Sequence, residues 1–226
     1  MDFLLDFLLE LIIILPIVLI ALTFHECAHG FIAYKLGDPT AKYMGRLTLN
    51  PIKHIDPIGA ICMLLVHFGW AKPVPIDITN FKNSKRDMAL SALAGPCANI
   101  ALGFVGCFLY VLTIVMLTPV QFESEFAVNL ANIGLTFLYY FGWLNISLAL
   151  FNLIPIPPLD GSKILYAFLP SKASNWCKMH EREMSAIFFF ILIFDSRLFG
   201  GYITGFLSSC VSGIFALFTN LFLLMF

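Results

Sequence analysis

Charge is what this sequence has least of. Only 12% of its 226 residues are Asp, Glu, Lys or Arg, against the roughly 25% that soluble domains carry, which excludes a water-exposed surface over the whole molecule. Basic residues are not in excess either: a net charge of −1 leaves no cationic face for nucleic acid. No Lys or Arg precedes Lys35, while Asp2, Asp6 and Glu10 mark the start. A cleaved signal peptide opens with the reverse pattern, a positive n-region, so residues 3 to 36 are read as part of the mature fold. The cysteines (Cys27, Cys62, Cys97, Cys107, Cys177 and Cys210) include no CxxC pair. In apolar surroundings a thiol behaves as a small hydrophobe, so neither a disulfide framework nor a cysteine-based zinc site is expected. No internal repeat or low-complexity tract is evident.

What is present in quantity is apolar. Hydrophobic residues make up 60% of the chain, Phe alone occurs 24 times, and the mean hydropathy is +0.90. A helix that crosses the hydrocarbon of a lipid bilayer needs about 20 mostly apolar residues. That requirement predicts spans near 3–34, 88–118 and 127–153, plus a tail, 185–226, interrupted by Asp195 and Arg197. The tail reads equally as one broken helix, a short helix followed by a span, or a tight hairpin. Residues 58–70, flanked by Pro57 and Pro73, are too few to span and are read as a re-entrant, partly β-like interfacial segment. The expected fold is therefore an all-α polytopic membrane protein, a single helical transmembrane bundle over 1–226.

Basic residues divide between two loops. Lys35, Lys42, Arg46, Lys53, Lys72, Lys82, Lys85 and Arg86 lie between the first two spans, and Lys172, Lys178 and Arg182 follow the third. The loop from Thr118 to Phe126 has none. The positive-inside rule then places the N-terminus outside and both basic loops in the cytoplasm. From Asp6 to His25 the helix rises roughly 28 Å at 1.5 Å per residue, so His25 is expected near the cytoplasmic edge of a bacterial or archaeal plasma membrane.

At that depth the first span carries His25-Glu26-Cys27-Ala28-His29. Two histidines four apart on a helix face the same way, the spacing that lets two imidazoles hold one zinc ion, with the intervening Glu free to act on water. Such a motif recurs by chance on polar helices, but ionisable groups within a membrane are expensive and functional by default. A catalytic zinc usually has three protein ligands. The third span ends in Asn152-Leu153-Ile154-Pro155-Ile156-Pro157-Pro158-Leu159-Asp160-Gly161, which arrives at the same edge, and Asp160 is the best candidate for the third. Its prolines prevent a regular helix, and non-helical backbone at membrane depth is tolerated where it is buried in protein or lines a wet cavity. A helix cap before residues 162–169 is the plainer role for Asp160.

These residues resemble a known family, the site-2 proteases, zinc intramembrane metalloproteases of peptidase family M50. The likeness rests on the segment from Phe24 to Gly30, on Asn50-Pro51-Ile52-Lys53-His54-Ile55-Asp56-Pro57 with Gly59, on Gly95-Pro96-Cys97-Ala98-Asn99, and on Asn152 to Gly161. The resemblance implies that His25, His29 and Asp160 bind Zn2+, that Glu26 is the general base, and that Asn152 assists catalysis near substrate. For Asn99 it implies substrate or structural support, and helix–helix hydrogen bonding is an equal alternative. His54 is assigned no catalytic role. The implied partners are transmembrane protein substrates, such as membrane-tethered regulators or signal-peptide remnants. No stretch reads as an inserted PDZ domain or a CBS pair, so a minimal form is expected. Two other readings are a prenyl-protein-type zinc peptidase, for which no matching third-ligand motif exists, and a scaffold or transporter with a structural metal.

Overall fold

The computed structural model describes residues 2–57, 59, 71–122 and 124–226, and the side chains from residue 11 onward. The re-entrant reading of 58–70 therefore lies outside the described residues, apart from Gly59. Among the described residues the elements are helical: α1 (Asp2–Lys35), α2 (Thr40–Tyr43), α3 (Ser84–Leu117), α4 (Glu125–Asn152), α5 (Asp160–Phe168), α6 (Ser171–Met179), α7 (Glu181–Ile193), α8 (Asp195–Leu198) and α9 (Tyr202–Leu223). Helices α1, α3, α4 and α9 are long and apolar enough to cross a membrane. An all-helical, multi-pass membrane architecture follows.

The tail resolves as a short helix followed by a separate span. At 13 residues, α7 rises only about 20 Å and cannot cross the ~30 Å hydrocarbon layer. The helix breaks at Phe194, and α8 restarts at Asp195, whose carboxylate accepts hydrogen bonds from the N–H groups of Ile203 and Thr204 and from the Thr204 hydroxyl. Gly200 and Gly201 take φ of 63° and 78° between them, the left-handed region that glycine enters without a Cβ clash.

Helix α3 is the centre of the bundle, packing on α1, α4, α5 and α9. Small residues bring α3 and α4 together. A Cβ on Gly106 would stand 2.8 Å from the Gly142 backbone, the close approach that membrane helices use where lipid removes the hydrophobic drive between them. Around that contact Cys107, Val111, Ile146, Val211 and Phe222 form a buried cluster. Outward, side chains such as Met116, Leu130, Phe206 and Leu217 are exposed, a surface suited to lipid rather than to water.

Between α1 and α3 the chain makes an extended strip, residues 72–77, ending in a 3-10 turn at Ile78–Asn80. Ile55 and Ala71 form an isolated antiparallel bridge. The strip is held from below. Arg46 donates to the carbonyls of Lys72 and Pro73 at 2.6 and 3.2 Å, and the Lys72 N–H donates to the His54 carbonyl. Asp38, fully buried just past α1, accepts from the Asp77 N–H, the Asn80 amide and Thr40.

Candidate metal centre

The helical register of α1 turns His25 and His29 toward α3 and α5. Their Nε2 atoms are 3.0 Å apart, and each is 3.0 Å from Oδ2 of Asp160, the first residue of α5. All three side chains are buried. The N-cap of α5 is Leu159, and the Asp160 carboxylate faces His25, His29 and Lys163, so the plainer capping role does not describe it. Its other oxygen meets the Lys163 ammonium at 3.1 Å, one turn along α5. The turn that delivers it is tight: a Cβ on Gly161 would collide with the carbonyls of Leu153 and Ile154.

The outer nitrogens of the two rings define which atoms face inward. His25 Nδ1 lies 2.6 Å from Asn99 Oδ1, and His29 Nδ1 lies 2.7 Å from the Ser91 carbonyl. Both partners are acceptors, so in neutral imidazoles the proton sits on Nδ1 and the lone pair on Nε2. Two bare nitrogens and a carboxylate oxygen then converge, a set of electron-pair donors that suits a cation. Separations of 3.0 Å are close to the ~3.3 Å edges of a tetrahedral zinc shell with bonds of ~2.0–2.1 Å. The donor set therefore fits zinc: His25, His29 and Asp160 could hold the ion, with outer partners of the kind that orient metal-binding histidines. Among the described residues this is the only His, Cys, Asp and Glu group close enough to hold a metal.

Glu26 lies half-buried beside the ligands on α1, and its Oε2 accepts the Val74 N–H at 2.8 Å. Asn152 is not hydrogen-bonded to any of the three ligands. Its amide donates to Leu148 of its own helix, and among the described residues its other N–H has no partner. Asn99 is fully buried and joins α1, through His25 and the Ala21 carbonyl, to Asn145 of α4.

Several residues of this neighbourhood escaped the sequence reading. Ser91 and Val74 act through backbone groups, which leave no trace in residue type. Lys163 and Gly95 lay within reach: Lys163 is one helical turn from Asp160, and Gly95 belongs to the Gly95–Asn99 motif. A Cβ on Gly95 would stand 2.5 Å from His29 Cε1 and Nε2 and 2.6 Å from His25 Cε1, so the absence of a side chain makes room for the imidazoles. Asn145 was also visible, as a polar residue deep in an apolar span.

The sequence profile of peptidase family M50 matches residues 12–194. The chain belongs to that family, the site-2 proteases. The similar curated proteins include "Putative zinc metalloprotease YwhC" of Bacillus subtilis, 40% identical over 185 residues that make up 82% of this chain and 80% of that one. A second is the like-named Rip2 of Mycobacterium tuberculosis, 26% identical over 83% of this chain and 68% of its own. A third is "Zinc metalloprotease MJ0392" of Methanocaldococcus jannaschii, 28% identical over 68% of this chain but 33% of its own. No solved structure matches. With four membrane-length apolar helices among the described residues, this M50 chain is a multi-pass membrane metalloprotease, and family membership implies zinc.

Proposed function

We propose that this M50 protease hydrolyses peptide bonds within or near the transmembrane segments of other membrane proteins. The observation that carries the reading is the convergence of His25, His29 and Asp160 between helices long enough to cross a bilayer. His25, His29 and Asp160 hold the metal. Zinc, when bound, supplies an acidified water with a pKa near about 7 and polarises the scissile carbonyl. Glu26 would take a proton from the attacking water on its carboxylate and pass it to the leaving nitrogen. The uncommitted N–H of Asn152 donates to the developing oxyanion, a contribution typically worth about 2.7–4 kcal/mol. Asn99 orients His25.

A peptide bond inside a membrane helix is shielded by lipid and by its own helix, so the substrate must be held extended. The strip at residues 72–77 is suited to that. Its Lys72 and Pro73 carbonyls and its Val74 and Asp77 N–H groups are committed inward. Among the described residues the Val74 carbonyl and the Ile76 N–H have no partner, and Val74 is the residue whose N–H reaches Glu26. An extended substrate pairing there is presented beside the general base. Candidate substrates are tethered regulators or signal-peptide remnants, and the site faces the cytoplasmic side with the N-terminus outside.

The test is zinc content together with cleavage of a model single-span substrate by detergent-purified wild type, Glu26→Gln and Asp160→Ala. Wild type should hold about one zinc and cut within the span, Glu26→Gln should keep zinc and lose ~10²–10⁴-fold in rate, and Asp160→Ala should lose zinc. Cleavage indifferent to Glu26→Gln would sink the reading and leave a structural-metal scaffold in its place.

A further inference from the structure

Asn145 carries no motif, yet it is fully buried in the C-terminal third of α4, where an amide is tolerated only with its hydrogen-bonding groups engaged. Its Nδ2 donates to the Phe141 carbonyl at 2.8 Å. That bond fixes the amide orientation, so Oδ1 points the other way, where it accepts from Asn99 Nδ2 at 3.0 Å. The second hydrogen of Asn99 Nδ2 goes to the Ala21 carbonyl at 3.1 Å. With both hydrogens committed, Asn99 can present only its oxygen to His25 Nδ1, 2.6 Å away.

We infer that Asn145 is a positioning residue for the metal centre: through Asn99 it fixes the His25 tautomer that leaves Nε2 free for zinc. This rests on the metallopeptidase reading and extends it from the ligands to a residue of α4 that touches none of them. A flipped Asn99 amide would turn its oxygen onto the Ala21 carbonyl and the Asn145 oxygen and its nitrogen onto His25 Nδ1. The imidazole would then need its proton on Nε2, where it blocks the metal. Asn145 and Ala21 supply the two acceptors that penalise this flip, so removing the Asn145 acceptor halves the discrimination. Outer partners of metal-binding histidines typically contribute 10- to 100-fold in affinity.

Asn145→Leu and Asn145→Asp separate this role from packing, because both side chains keep the branched shape of Asn. Leu has no acceptor. Asp keeps an oxygen toward Asn99, and in the neutral form that burial favours its O–H replaces the donor to Phe141. The probes are Zn2+ affinity by chelator competition and the visible absorption spectrum of the Co2+-loaded protein, both in detergent and without substrate. Asn145→Leu should weaken Zn2+ binding about 10-fold or more and change the Co2+ bands, while Asn145→Asp should stay within about 3-fold of wild type with unchanged bands. Adding Asn145→Leu to Asn99→Leu should have no further effect, as expected for residues acting in series. The inference is overturned if Asn145→Leu binds Zn2+ like wild type, or if the Asp and Leu variants are equally weak. A wild type that binds no Zn2+ defeats the metal reading itself, an outcome distinguishable from either.

Discussion

Replacing Gly95 by Ala tests whether the two imidazoles occupy their places for want of a side chain on α3. The new Cβ would stand 2.5 Å from His29 Cε1 and Nε2 and 2.6 Å from His25 Cε1, about 0.9 Å inside an ordinary contact of ~3.4 Å. Either the rings or the α1–α3 spacing must shift by most of that amount. Metal sites accept deviations of about 0.2 Å in ligand distance, so the strain falls on zinc binding. Overpacking of this kind costs about 1–3 kcal/mol, which corresponds to a roughly 5- to 150-fold loss of zinc affinity. Chelator competition on detergent-purified protein measures it, with bound zinc counted by mass spectrometry. Two controls locate the effect. Gly106→Ala meets the Gly142 backbone at 2.8 Å and should lower thermal stability without weakening zinc, whereas Gly134→Ala, with nothing within 4 Å, should change neither. If Gly95→Ala binds zinc as tightly as wild type, the close packing of α3 on the ligands has no bearing on the metal.

Lys163→Met removes the ammonium from the second Asp160 oxygen and should weaken zinc by up to about 10-fold, at the low end for an outer-sphere partner. Lys163 is half-exposed, so the difference should shrink as salt is raised. Ile76→Pro removes the open N–H of the strip and should raise KM for a single-span substrate while leaving zinc affinity unchanged; an unaltered KM would remove the strip from substrate binding. Burial works to raise the Asp38 carboxyl, but hydrogen bonds from Thr40, Asn80 and the Asp77 backbone outweigh it and hold it below its ordinary value. A depressed folded value means stability present above the unfolded pKa near 3.9 and lost as pH falls through the folded one. Hydrogen exchange of the Asp77 amide should therefore show protection declining below about pH 4, and Asp38→Asn should abolish that dependence.

Much of the fold was legible because a membrane imposes a simple rule on composition. The spans expected at 88–118 and 127–153 correspond to Ser84–Leu117 and Glu125–Asn152, with ends set by Asn83 and Ser124, whose side chains cap the first turns. The tail was ambiguous because its break depends on one carboxylate reaching across Gly200 and Gly201, a tertiary choice that hydropathy does not register. At the site, residues whose side chains meet the metal geometry could be named from type and spacing. His25, His29 and Asp160 come together as the motifs implied, while Asn152 bonds within its own helix. What spacing cannot express is support by main chain: the Ser91 carbonyl behind His29 and the Val74 N–H on Glu26 would serve equally well from many other residue types.

Asp160 is separated from His25 by 135 residues and from His29 by 131, and this distance has a consequence for synthesis. Chains are made N-terminus first, so α1 enters the bilayer carrying both histidines and Glu26 while the third ligand is still unmade. α3, which brings Asn99 and Ser91 behind the rings, must also insert before the histidines are oriented. The His25–His29–Asp160 cluster is thus incomplete for about the first two-thirds of translation, and it closes only once α1, α3 and α5 have come together. A product truncated anywhere before Asp160 would carry both histidines without the carboxylate that completes their cluster.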